Sequence, residues 1–175
     1  MNLQACLSVI ALLIPLSTQA QTPVAHGGDV TVTMPGLVSE QATEDESAEI
    51  EIMFRRFETL SRVVERLPDG IRTVTLTTDP EVEAALVSHV AGMVGRVTTG
   101  EDPKIPIQSP TLDILFLRGS GIDSVVEPVA GGVAVTQTSA DPEVVQALHR
   151  HADEVTDLVE RGMVAVHERI GTHNH

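Results

Sequence analysis

The sequence predicts an α+β fold: two tandem helix–β-hairpin–helix repeats whose hairpins join in one four-stranded antiparallel sheet, with the helices packed on one face about a pseudo-two-fold. Three observations predict it. Residues 52–100 align without gaps onto 114–162 at a constant offset of 62. Each copy holds two runs rich in Val, Ile and Thr joined by a glycine-containing turn. Each copy then repeats the helix start Asp-Pro-Glu-Val, at 79–82 and again at 141–144. Identities such as Phe54/Phe116, Arg56/Arg118, Glu65/Glu127, Gly70/Gly132 and His89/His151 fall in register, the mark of a duplicated supersecondary unit.

Taken in chain order, residues 1–20 carry an apolar run at 5–16 followed by small and polar residues, with Thr18 and Ala20 placed as a signal-peptidase site requires. That pattern predicts an export signal cleaved before Gln21 and a periplasmic or secreted protein. The run is too short to span a bilayer, so no stable membrane anchor is expected after signal removal. Residues 21–45, with Gly27, Gly28, Pro35 and Gly36, read as a flexible leader, although 30–34 alternates like a short edge strand. The single domain then runs over 46–171, with repeats at about 46–100 and 108–171, and 172–175 form a disordered tail.

In the first repeat, Thr43 with Glu46 three residues on is a capping box, and Ile50, Met53, Phe57 and Leu60 recur at helical spacing. Runs 62–67 and 71–77 make the hairpin around Pro68-Asp69-Gly70, where glycine would supply a positive φ. Asp79 caps the next helix, Pro80 fits its first position and Glu81 complements its dipole. In the second repeat Ser109-Pro110 opens a shorter helix, Ala130-Gly131-Gly132 makes the turn, and the helix opened by Asp141-Pro142-Glu143 runs past Gly162 toward Gly171. A lone hairpin is marginal in water, so the two hairpins should pair.

Composition excludes several classes of function. Lys plus Arg number 11 against 25 Asp plus Glu, a net charge of −14 that repels phosphate backbones and anionic lipid; nucleic acid is therefore not expected as a partner. Aromatics are confined to Phe54, Phe57 and Phe116, so the core must be aliphatic and stacking platforms for single strands are missing. The one cysteine, Cys6, lies in the predicted signal, which leaves the mature chain without a disulfide or thiol nucleophile.

The chemistry-bearing candidates are histidines. Val144, Leu148, His151, Val155 and Leu158 follow helical spacing on one long helix, as do Val82, Leu86, His89, Met93 and Val97 on the other, so both histidines fall on apolar stripes. Related by a two-fold, His89 and His151 would approach each other across the core, with Met93 one turn beyond His89. Two imidazoles and a thioether suit a soft site for copper, zinc or haem iron. The competing reading has each histidine packed on the sheet, donating to a strand carbonyl or Thr hydroxyl.

Other groups carry weaker signals. His149 and Asp153 stand one turn apart on the outer face of the last helix, where a surface ion would bind weakly, with Glu160 and His167 continuing that stripe; His173 and His175 form a terminal pair. Glu65 and Glu127 invite a paired acid/base reading against a bland one in which they face Arg62 or Arg66 and water. Ser120 lacks the strand a nucleophile elbow requires, no glycine cluster has the lysine of a phosphate loop, and capping alone accounts for the repeated Asp79 and Asp141. Arg56 and Arg118 are either solvated or bridge the copies.

Leu-Pro-Asp-Gly-Ile-Arg-Thr-Val-Thr at 67–75 and Asp-Pro-Glu-Val-x-x-Ala-Leu-x-x-His at 79–89, repeated at 141–151, resemble a group of exported bacterial tandem-repeat proteins over roughly residues 50–167. That resemblance implies a histidine in the first helix of each copy and a histidine-rich leader, hence metal or haem. Here Arg56 and Arg118 stand at the matching positions and the leader holds only His26. The expectation is a non-catalytic binding protein for a soft metal or haem through His89, His151 and Met93. An acidic scaffold meeting a protein partner or a second copy of itself is the alternative, and an enzyme stands third.

Overall fold

Thr43 opens the first helix, α1 (Glu44–Arg55), through the expected reciprocal cap: its hydroxyl accepts from the Glu46 amide at 3.2 Å and its own amide donates to the Glu46 carboxylate at 2.8 Å. The structure is a computed structural model that describes Met34 and residues 37–172, with side chains as far as Glu168. The predicted signal at 1–20, residues 30–33 of the candidate strand at 30–34, His26, and the terminal histidines His173 and His175 lie outside the described residues, and Met34 itself is not in a strand. A 3₁₀ turn (Phe57–Thr59) leads from α1 into the hairpin of β1 (Leu60–Leu67) and β2 (Gly70–Thr77), and the long helix α2 (Pro80–Thr99) follows. The second repeat gives α3 (Pro110–Leu117), β3 (Asp123–Val129), β4 (Gly132–Thr138) and α4 (Pro142–Arg161), and a last helix α5 (Met163–Thr172) ends the described chain.

The fold is α+β, as the duplicated pattern predicts, with one antiparallel sheet in the order β1-β2-β4-β3. Its centre is the β2–β4 pair, in which Gly70 faces Thr138, Thr73 faces Val135 and Leu76 faces Gly132. Shifting every residue of that register by 62 returns the same register. At the two ends of the pair, the Thr77 amide donates to the Gly131 carbonyl at 2.7 Å and the Ser139 amide to the Asp69 carbonyl at 2.9 Å, again equivalent positions.

Helices cross between the repeats. α4 lies on β2 and β1, the hairpin of the first copy, while α2 lies chiefly on β4, with β3 and β2 beside it. Each long helix thus spends most of its apolar stripe on the other repeat. Val82, Ala85 and Leu86 of α2 and Val144, Ala147 and Leu148 of α4 are buried as the spacing demands. His149 and Arg66 add polar links across the same boundary: His149 Nε2 donates to the Gly70 carbonyl at 2.8 Å, and Arg66 Nη2 meets Asp153 Oδ1 at 2.6 Å.

Four expectations need correction. Gly70 is not the positive-φ residue of its turn; it is paired with Leu67, and a Cβ on it would lie 1.9 Å from the Gln137 carbonyl oxygen. Its equivalent Gly132 would likewise strike the Thr75 carbonyl, at 2.1 Å, so the repeated glycine serves close approach of the central strands. The flexible leader does not extend to 45, because Leu37 is only 1% exposed and packs with Ile50, Phe54, Ile105 and Val166. The last long helix does not run through Gly162: φ 52° and ψ −126° there end α4 and restart the chain as α5. Arg56 and Arg118 do not bridge the copies, for each holds the cap of its own repeat's long helix, Arg56 on Asp79 and Glu81, Arg118 on Asp141 and Glu143.

Candidate functional site

The buried apolar residues of the described unit form three clusters instead of one. Ile71, Leu115, Phe116, Val144 and Leu148 anchor the first; Leu37, Ile50, Phe54, Ile105 and Val166 the second; Leu86, Val133 and Val135 the third. A cavity of about 290 Å³ opens where members of all three meet, between the inner face of the sheet and the helices. Ordinary cores contain few voids larger than a water molecule.

His89, Met93 and His151 all line this cavity, so the structure brings the three residues singled out by their helical spacing to one wall system. His89 keeps some accessible surface and lines the cavity. Its Nδ1 is buried without a hydrogen-bond partner, contrary to the expected bond to a strand carbonyl. Desolvation holds the imidazole down at about 4 against a partial upward pull from the Glu46 carboxylate, so it is neutral at physiological pH. The strand-carbonyl bond is made by His149 instead, on Gly70.

His151 lies 3.9 Å through Nδ1 from Glu154 Oε2. The Glu154 carboxylate also accepts from Ser109 Oγ at 2.7 Å and Thr111 Oγ1 at 2.9 Å. Ser109 is thus bonded to the carboxylate itself, with no imidazole between them to take its proton, and its hydroxyl also caps α3 by accepting from the Thr111 amide. Among the described residues, no group of three or more His, Cys, Asp or Glu side chains could hold a metal ion. An ion at His89 and His151 would therefore have to rely on Met93 or on ligands from outside the described chain.

The residue missed in the sequence is Arg62. On β1, exposure alternates so that Leu60, Arg62 and Val64 point under the helices while Ser61, Val63 and Glu65 face out. Arg62 lines the cavity, donates through Nη1 to Thr75 Oγ1 at 2.7 Å, and leaves Nε buried without a partner. Burial lowers its pKa to about 10, which leaves it charged at neutral pH. Period-two alternation with Leu60 and Val64 was the signal that could have found it. A more open recess of about 570 Å³ shares Phe57, Leu60, Arg62 and Val159 with the cavity and adds Glu58 and Glu160, so the two adjoin at the β1 edge.

The remaining candidates fall elsewhere. Glu65 and Glu127 are exposed on the opposite face of the sheet, Glu65 across from Arg72, and neither joins a histidine. Asp153 is engaged by Arg66 and His149 by Gly70, so they do not form the expected surface ion site, and the break at Gly162 interrupts the stripe from Glu160 to exposed His167. Ser120 is exposed in a 3₁₀ turn (Gly119–Gly121). No helix among the described residues is long and apolar enough to cross a membrane. No protein-family model matches the chain, and no curated protein or solved structure matches it either.

Proposed function

We propose that this chain is a non-catalytic binding protein of the periplasm or extracellular space whose central cavity holds a small, largely apolar molecule. The observation that carries the reading is the cavity of about 290 Å³ at the meeting of three aliphatic clusters. Its size lies at the lower end of ligand pockets, which span about 300 to 1,000 Å³, and its mixture of apolar wall with a few polar groups is typical of them. The export pattern at 1–20 supports the location, and the net charge of −14 argues against nucleic acid as a partner.

The chain has no Trp or Tyr, so binding of a fluorescent probe is read against little background. The neutral probe N-phenyl-1-naphthylamine should bind the purified protein saturably at one site. Val155→Phe, which fills the cavity from α4, should abolish that binding while leaving the protein folded. Probe uptake unaffected by Val155→Phe, or no uptake at all, would remove the reading.

A second reading keeps copper, zinc or haem on His89, His151 and Met93, and is favoured by their common place on the cavity wall. The volume speaks against haem without rearrangement. Metal analysis of protein purified from metal-replete cells separates the two, since stoichiometric metal lost in His89→Ala would favour the ion. An acidic scaffold with a protein partner or a second copy of itself is left if neither probe nor metal binds.

A further inference from the structure

Resting on the cavity being a binding site, we infer that its ligand is an amphiphile with an anionic head, taken on the Arg62 guanidinium, and an apolar tail laid among Phe54, Leu86, Val90 and Leu158. The tail contacts are cavity-lining residues drawn from α1, α2 and α4. The head is argued from charge. Acidic residues outnumber Lys plus Arg by 25 to 11, and Arg55, Arg56, Arg66, Arg96, Arg118 and Arg161 each meet a carboxylate. Among the described residues Arg62 meets none: its one described hydrogen bond goes to the Thr75 hydroxyl, and Nε is buried with no described group to donate to.

A guanidinium withdrawn from water and left without a counter-charge is costly, and an arginine fork is shaped for the two oxygens of a carboxylate or the oxygens of a sulfate. The cavity's other charged wall group, Glu154, is already supplied with hydroxyl donors from Ser109 and Thr111, one on each oxygen. His89 is neutral and offers hydrogen bonding without charge. The unmet electrostatic demand of the cavity is therefore for an anion at Arg62. At protein-like packing density the volume takes an alkyl chain of roughly eight to ten carbons.

Arg62 also borders the recess at the β1 edge, which gives a head group a route to it from solvent past Phe57 and Val159. Glu58 and Glu160 line that recess, so the approach of an anion is slowed by repulsion that salt relieves.

The test is displacement of N-phenyl-1-naphthylamine from the purified protein at neutral pH by decanoate, 1-decanol and decylamine, three ligands with one tail and different heads. Decanoate should displace the probe at a concentration lower than 1-decanol by about tenfold or more, the size of one charge-assisted contact. Arg62→Gln should lose the preference, read as the ratio of decanoate to 1-decanol displacement within that variant, and Arg62→Lys should keep part of it. Equal affinity for decanoate and decanol in the wild type overturns the inference, as does a preference that survives Arg62→Gln or one that favours decylamine. Each of those results leaves the cavity reading standing, whereas failure of the neutral probe to bind removes the cavity reading itself.

Discussion

Thr73 is hydrogen-bond neighbour to Val135, the residue that occupies its own place in the second repeat. The duplicated register is therefore centred on this pair, whose side chains both lie on the inner face of the sheet and line the cavity. Because α2 lies chiefly on β4 and α4 on β2 and β1, the core is built largely by exchange, each long helix covering mainly the other repeat's hairpin.

One consequence concerns half the chain. Residues 37–107 alone would leave the β2 edge unpaired and the stripe of Val82, Leu86 and Val97 without its sheet. That fragment should either lack a cooperative thermal transition or associate into a dimer that rebuilds the exchanged core. Circular dichroism melting with sedimentation at several concentrations reads the outcome, and a monomer that melts cooperatively would contradict it.

Much of the fold was legible because it is written in local chemistry. Asp79 and Asp141 act as caps, the Val- and Thr-rich runs pair as hairpins, and the stripes of α2 and α4 turn inward. The crossing of helices between repeats was not legible, since periodicity says which face is buried and not against what. The cavity was hidden for the same reason: Leu86, Phe54 and Ile71 read equally as core whether or not they meet. His89, Met93 and His151 were found through their stripes, while Arg62 was passed over because its charge outweighed its inward strand position. The end of α4 was missed because helical spacing continues past Gly162, whereas the helix ends in the Gly162 backbone itself, at φ 52° and ψ −126°.

Gly162 provides a second prediction. A Cβ at this position would lie 2.4 Å from Phe57 Cδ1, and its φ of 52° with ψ of −126° is a conformation open essentially to glycine. Phe57 lines both the cavity and the recess, so its ring can retreat only by moving into one of them. Gly162→Ala should destabilise the protein by about 2 to 3 kcal/mol, read as a lower urea midpoint at unchanged slope. Phe57→Ala in the same background should recover only the steric part, leaving the backbone cost in place.

The bond from His149 Nε2 to the Gly70 carbonyl ties α4 to the first hairpin at the point where Gly70 also closes on Gln137. His149→Ala removes the donor and leaves a partly buried carbonyl poorly satisfied, at a cost of about 1 kcal/mol. Hydrogen exchange should quicken at the β2–β4 boundary more than in α1. A uniform change across the protein would show that the link is not local.

Acid should act on this protein in two separable steps. His89 has an ordinary value near 6.5, and burial holds it at about 4 in the folded chain, so unfolding takes up a proton between those values. Its contribution is intact above about 6.5 and is lost as pH falls toward 4, by about 2 to 3 kcal/mol. Glu46 behaves differently: its hydrogen bond with Arg96, at 2.8 Å through Nη2, and its cap on Thr43 lower it from 4.5 to about 2. That stabilisation is present above about 4.5 and disappears as pH falls toward 2, by about 1 to 2 kcal/mol because the pair retains some contact with water. Urea midpoints measured from pH 7 downward should therefore decline first through the histidine window and again below it. His89→Gln should flatten the first decline and spare the second, Glu46→Gln the reverse. A first decline that persists in His89→Gln would mean that some other group takes up the proton.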